Sequence, residues 1–443
     1  MRKTQLLLAL ATIGFAGSAF ATNGMNLEGY GPIALGMGGA SMAYDNGNAA
    51  MMNNPATLGL MQSGSRLDLA LGMLGPDVNV VGVQSSGGDS YMMPAVGWTK
   101  KDGKLTYGVG LFAQGGMGTE YATQISGLDA SPERSELGVG RLMAPLAFNV
   151  NDNLTIGGSI DYVWAMLDIR MAVPGAMLGA PGPASLITGG TGSMGTAAVG
   201  GGFAGVTRMR LDFSDTSDYT GKAKGTGFAG KLGFTYKASP TVTIGGTYHL
   251  KTALSDLETG ISSTVLTATG MGTETGKMTV RDFQWPETYG LGIAVQATPS
   301  LMIAADVKKI NWSDVMDSFK MTYTTGGGLG MTGSVDFALP QNWDDQTVFQ
   351  IGVSYKVNDA LTLRAGANLS DNPIPSTTVH YLFPAIEENH YTLGFGYAFS
   401  KASDINFTMS YAPNVSQTNT GAAAGMIIEH SQLSWQFMYS TRF

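Results

Sequence analysis

The sequence predicts an all-β protein: a transmembrane antiparallel β-barrel of about 14 strands with an N-terminal hatch (plug) segment in its lumen. Three observations carry this reading. The 443 residues are 44% hydrophobic, yet beyond residue 21 no apolar run is long enough for a helical membrane span. The apolar residues instead alternate with polar or Gly residues at the two-residue period of a strand. The connections between alternating stretches are short and long by turns, as in a single-chain outer-membrane barrel.

Composition narrows the class further. With 63 Gly and 13% charged residues, the chain has about twice the usual share of Gly and half the usual charge. Arg2 and Lys3, the apolar stretch Leu6 to Phe15 and the small-residue site Ala19-Phe20-Ala21 make residues 1–21 a secretory signal peptide. Without its two basic residues the net charge of −8 becomes about −10, and so acidic a chain is a poor partner for nucleic acid. No cysteine is present, so stability in an oxidising compartment must come from a closed hydrogen-bonded architecture or a large core.

The strands can be justified in order. Leu154, Ile156, Ile160, Tyr162, Trp164 and Met166 share one face, opposite Thr155, Gly157, Ser159 and Asp161. The same alternation recurs at Val242, Ile244, Tyr248 and Leu250, and at Tyr391, Leu393, Phe395, Tyr397 and Phe399. It is sharpest at the C-terminus, where Leu433, Trp435, Phe437, Tyr439 and Phe443 oppose Gln432, Ser434, Gln436, Ser440 and Arg442. Strands are expected at roughly 64–74, 90–100, 104–114, 139–150, 153–170, 222–238, 240–254, 286–298, 300–312, 345–357, 360–370, 389–400, 403–412 and 430–443. Periodicity alone fits a soluble sandwich as well as a barrel; the connections decide. Tight turns at Lys101-Asp102-Gly103, Asn151-Asp152, Ser239-Pro240, Pro299-Ser300, Asn358-Asp359 and Ala402-Ser403 alternate with long loops. Closure also removes the edges that such apolar strands would expose.

Residues 22–62 do not alternate. They are rich in Gly, Ala, Asn and Met, which suits close packing, and a barrel of this size has a lumen to be filled. The organisation expected is therefore a signal peptide at 1–21, a hatch at 22–62 and a transmembrane barrel at 63–443.

Gly36-Met37-Gly38-Gly39-Ala40, then Asp45-Asn46 and Asn54-Pro55-Ala56-Thr57, resemble the hatch of the FadL family of outer-membrane transporters for hydrophobic compounds. The resemblance continues through Gly118-Thr119-Glu120-Tyr121, Trp285-Pro286-Glu287, Asn311-Trp312-Ser313 and Asp371-Asn372-Pro373-Ile374-Pro375. It implies a monomeric barrel in the Gram-negative outer membrane, in contact with lipid and lipopolysaccharide, that takes up long-chain fatty acids or similar hydrophobic molecules passively. Capture at external loops, binding inside the barrel, hatch rearrangement and lateral release at a kink in the third strand are part of that implication.

The residues assign parts to these steps. Asn54 caps or turns the hatch, Pro55 fixes its direction, and Ala56, Gly36, Gly38 and Gly39 complete the candidate hatch residues. Phe112, Gly115, Gly116 and Gly118 end the third strand, where Gly weakens a ladder. Between 171 and 207 no charged residue occurs; Met171, Met177, Leu178, Leu186, Ile187, Met194 and Phe203 there either offer apolar ligands a landing surface or bury themselves in the barrel mouth. A carboxylate in a dry lumen needs a basic partner. Where the family's fatty-acid transporters place theirs, near the end of strand 5 and the start of strand 10, this chain keeps only Arg170, with Arg141, Lys251 and Arg364 as lumen-facing alternatives. Neutral aromatic or aliphatic hydrocarbons are therefore open as the alternative cargo.

Other chemistry finds no support. His249, His380, His390 and His430 lack metal-ligand spacing, and no metal or cofactor is expected. No Ser and His are expected together on the lipid-facing wall, so a lipid hydrolase is set aside and no enzymatic activity is expected. A general diffusion porin would carry more channel charges and no large hatch.

Overall fold

The computed structural model describes residues 23–443 apart from 124, 126–129, 183–184, 204 and 218–219; the expected signal peptide lies outside the described residues. Antiparallel pairing runs from β1 (Gly64–Leu74) through β4 (Tyr91–Asp102), β5 (Leu105–Tyr121), β6 (Glu133–Asn149) and β7 (Leu154–Pro174). It continues through β10 (Ala223–Ser239), β11 (Val242–His249), β16 (Thr288–Thr298) and β17 (Leu301–Ile310). The ladder then passes β20 (Gln346–Lys356), β21 (Leu361–Ser370), β22 (His390–Ala398), β23 (Ser403–Thr418) and β24 (Ile427–Arg442). β24 returns to β1, with Leu69 opposite Tyr439, and closes the ring.

The outer surface of the ring is apolar. Leu393 is 69% exposed and Ile160 71%, and Leu232, Phe228, Leu291, Phe349, Tyr391 and Leu433 are also exposed around the wall. Their neighbours along each strand, among them Asp161, Lys231, Asp306, Gln350, Thr392 and Ser434, are buried. A soluble protein would invert this arrangement; a barrel in lipid requires it.

The described residues contain 24 strands in one sheet, against about 14 expected; fourteen make up the ring just traced, and the other ten lie outside it. The difference lies in the long loops. β7 runs on to Pro174 and offers its edge to β9 (Arg208–Phe213), which pairs in turn with β14 (Thr264–Ala268). β15 (Gly272–Arg281), β18 (Ser318–Thr325), β19 (Ser334–Pro340) and β8 (Ile187–Thr191) extend this sheet outward. The short strands β2 (Pro76–Val80), β3 (Gln84–Ser85), β12 (Ala253–Leu254) and β13 (Leu257–Glu258) add local pairings. The alternation behind the extension was present in the sequence: Met209, Leu211 and Phe213; Met278 and Val280; Phe319, Met321 and Tyr323; Val335, Phe337 and Leu339 are buried on one side. They join Val379, Leu382, Phe383, Trp285, Trp312 and Trp343 in a single apolar cluster. The long-loop half is thus a second core, in which each large apolar side chain contributes about 1.5–3 kcal/mol.

Leu393→Arg should destabilise the folded state in vesicles by about 2–4 kcal/mol, measured by equilibrium urea titration. The same change at Ile261, exposed in a loop, should stay within about 0.5 kcal/mol.

Candidate functional site

The N-terminal segment is buried almost throughout. It carries two one-turn helices, α1 (Pro32–Leu35) and α2 (Ala50–Asn53), followed by a 3-10 helix at Pro55–Leu60. Asn54 caps the latter, accepting from Ala56 N at 3.1 Å, and Pro55 occupies the first helical position, where its missing N–H costs nothing. The same Asn54 amide donates to Met42 O at 2.8 Å and to Phe234 O of β10 at 3.1 Å. One side chain thus ends a helix, staples two parts of the segment and fastens them to the wall.

Other polar residues repeat this around the ring. Asn48 donates to Arg66 O and Gly97 O and accepts from Thr99 Oγ1 at 2.6 Å. Asp306 accepts from the Ser41 and Met42 amides at 2.6 and 3.1 Å. Glu28 accepts from Ser410 at 2.6 Å and faces His390 at 3.4 Å, while Lys101 holds Gly59 O at 2.6 Å. The wall glycines Gly157, Gly245, Gly352 and Gly366 meet the backbone of this segment, and a Cβ at any of them would collide with it. Gly38, with φ +67°, sits against Ala367 in a conformation that a side chain would strain. Gly36 and Gly39 approach Thr408 and Gln350 in the same way, and Ala56 lies on Gly157.

The third wall strand differs from its neighbours. β5 carries a bulge between Ala113 and Gly115 that shifts its register with β6, so odd-numbered residues, outward up to Ala113, turn inward from Gly115. On its other side, pairing with β4 stops at Val96 opposite Leu111, although β4 begins at Tyr91 and stays paired to β1. No β4 residue pairs with β5 beyond Leu111 among the described residues. Hydrogen bonding resumes higher up, where Gly87 N donates to Glu120 O at 2.7 Å. The bulge is tied inward instead: Asn26 bridges Gly115, Tyr30 donates to Gln114 O at 2.6 Å, and Arg141 donates to the Gln114 side chain.

An open cavity of about 310 Å³ occupies this gap. Met25, Leu27, Leu137 and Val139 line it from within; Met92 and Leu111, both 39% exposed, line it from outside. It therefore passes through the wall. Trp164, Met93, Pro94, Met117 and Pro384 add apolar surface, and its few polar residues include Glu136, Glu387, His430 and Gln432. No Lys or Arg is among its lining residues.

A profile of the outer membrane protein transport family described as OMPP1/FadL/TodX matches residues 7–434. The chain belongs to the OMPP1/FadL/TodX family. The toluene transporter TbuX of Ralstonia pickettii is 31% identical over 94% of this chain and 99% of its own, with a TM-score of 0.79. The toluene transporter TodX of P. putida gives the same values. A long-chain fatty acid transport protein of Salmonella typhi is 23% identical over 92% of this chain and 91% of its own. Against other curated relatives the chain spans only about two fifths of their length. Membership in the OMPP1/FadL/TodX family makes this an outer-membrane β-barrel of a transport family, not an enzyme family.

Set against that family, the remaining candidate residues fall out unevenly. In the charge-free stretch, Met171, Leu178, Ile187, Met194 and Phe203 are buried, and Met177 and Leu186 pack half-buried beside them. Met194 of α3 (Gly192–Val199), Leu178 and Phe203 turn inward and line a small apolar pocket with Met209, Leu266 and Val335 of the extension sheet. His380 stacks on Tyr381 in the neighbouring 371–389 loop, where burial lowers its pKa to about 4 and keeps it neutral. The basic candidates are mostly committed elsewhere. Arg141 and Lys231 both lie 2.8 Å from buried Asp161, and Arg170 pairs with Asp212 at 2.9 Å. Lys251 is not in the lumen as expected; it is exposed beyond the end of β11, because the strand stops at His249. Arg364 is half-buried and donates to Asn406 at 2.9 Å. Sequence reasoning missed Met25, Tyr30, Gln114 and Trp164. Only the polar phase of their strands could have flagged Gln432 or His430.

Asn54→Ala should leave the buried Met42 carbonyl and the half-buried Phe234 carbonyl without their amide donor and cost about 1–3 kcal/mol. The expected readout is a ring that still resists SDS at room temperature while the N-terminal segment becomes sensitive to protease; unchanged protease resistance would show that Asn54 is not its fastening point.

Proposed function

We propose that this protein is a passive outer-membrane channel for small hydrophobic compounds, with neutral hydrocarbons, monoaromatic ones among them, as preferred cargo. The cavity through the wall carries the reading. Its lining is mostly apolar, it holds no cation to balance a carboxylate, and it joins the interior to the outer face at membrane-spanning strands. The toluene transporters TbuX and TodX, similar over nearly the whole chain, support the same cargo.

In this reading the stretch 171–207, under the extension sheet, captures cargo from outside. Cargo then passes along the apolar core toward Trp285 and Met25, and leaves sideways between β4 and β5. The segment 22–62 acts as the hatch, and Phe112, Gly115, Gly116 and Gly118 form the lateral exit. Long-chain fatty acid is the second reading, favoured by the Salmonella relative and by Arg364, whose guanidinium has no ion-pair partner among the described residues.

Deleting the protein should lower toluene uptake by cells several-fold and oleate uptake less; no change in either sinks both cargo readings. Gly115→Val, which drives a side chain into the Met25 carbonyl, should reduce toluene uptake without loss of folded barrel. A steady open-pore current from intact protein in planar bilayers would contradict a hatch.

A further inference from the structure

The cavity that passes through the wall is not uniformly apolar. On its inner side β24 presents His430 and Gln432, two residues apart on the inward face, opposite Glu387 and Pro384 of the 371–389 loop. Gln432 is 6% exposed, and its amide nitrogen has no hydrogen-bond partner. His430, 5% exposed, donates through Nδ1 to Pro384 O at 2.7 Å, and its Nε2 lies 3.2 Å from Glu387 Oε1. A buried amide donor without a partner is costly. Here it stands at the edge of a cavity of about 310 Å³ lined mostly by Met, Leu, Pro, Gly, Trp and Phe.

We infer that Gln432, with His430 and Glu387, is a polar pole that selects neutral hydrophobic cargo bearing one hydroxyl group, such as a phenol or an alcohol. The inference rests on the proposed channel function and names its substrate class more closely. A hydroxyl is both donor and acceptor. Its oxygen accepts from Gln432 Nε2 while its proton goes to the Glu387 carboxylate, which His430 Nε2 holds in place at 3.2 Å. The hydrocarbon remainder lies toward Met25, Phe112 and Leu137. A carboxylate is disfavoured at the same place, since it supplies no proton and meets Glu387. A site built to bond a hydroxyl discriminates against the analogue without one, because the buried Gln432 amide then stays without an acceptor.

The test uses the full-length protein in nanodiscs, with toluene, p-cresol and p-toluate as ligands of one shape. Calorimetric affinities are corrected for empty nanodiscs and for each compound's water-to-octanol partition. Corrected binding of p-cresol should exceed that of toluene by about tenfold, with p-toluate weakest. Gln432→Leu should remove the roughly tenfold p-cresol advantage over toluene. Equal corrected affinities for p-cresol and toluene in the wild type, or an advantage that survives in Gln432→Leu, overturn the polar pole and leave the channel reading standing. Tightest binding of p-toluate overturns the pole in favour of a carboxylate cargo. Failure of all three to bind overturns the channel reading itself. The wild-type comparison needs no variant, so misfolding of Gln432→Leu does not rescue the proposal.

Discussion

Backbone hydrogen bonding in lipid constrains everything else in this molecule. Within the hydrocarbon region no water satisfies an N–H or C=O, so the wall must close on itself, as β24 does on β1. At one place the pairing of neighbouring wall strands stops short, between β4 and β5 above Val96 and Leu111. There the interior supplies what the neighbouring strand does not: Asn26 bridges Gly115, and the Tyr30 hydroxyl takes the carbonyl of Gln114. The break in the wall and the segment inside the ring are therefore parts of one hydrogen-bond account, in which loosening one exposes the needs of the other.

The same constraint divides the interior. Toward the short turns, Gly, Asn, Thr, Ser and Asp bring the N-terminal segment close to the strands and satisfy its irregular backbone through Asn48, Asn54 and Asp306. Toward the long loops, Trp285, Trp312 and Trp343 pack edge-to-face at 5.8 and 5.2 Å and begin an apolar core that continues under the extension sheet. Buried cations follow from this partition. Arg141 and Lys231 share Asp161 because an isolated charge in the wall's interior is far more costly than a paired one. Their attachment to structure, and not their number, decides how little positive charge is left to meet a ligand.

Much of the fold was legible because the signal is strictly local. Alternation over ten residues, a turn at Asn151-Asp152 and a long loop after it specify a strand pair without reference to anything distant. Reasoning at that level located the wall strands to within a few residues in most cases and passed over β9, β14, β15, β18 and β19. Their alternation is short and sits among loop residues, and they are strands only because β7 extends beyond the belt and offers an edge. Asn54 was readable as a cap or turn and Pro55 as fixing the chain's direction. Tyr30 and Gln114 were not, since each owes its place to the other, 84 residues away in the chain.

Lys251 shows the limit most plainly: the polar phase of its strand pointed inward, but the strand ends at His249 and the lysine is exposed. By itself the sequence determined that this chain is a closed β-barrel with an apolar outside, a Gly-rich interior and a separate segment to house there. These follow from period, composition and connection length, which act over a few residues at a time. The tertiary structure decided where the wall is left unpaired, which cations are already taken, and which polar atoms face the cavity without a partner. Those depend on distances between residues that only closure of the ring brings together.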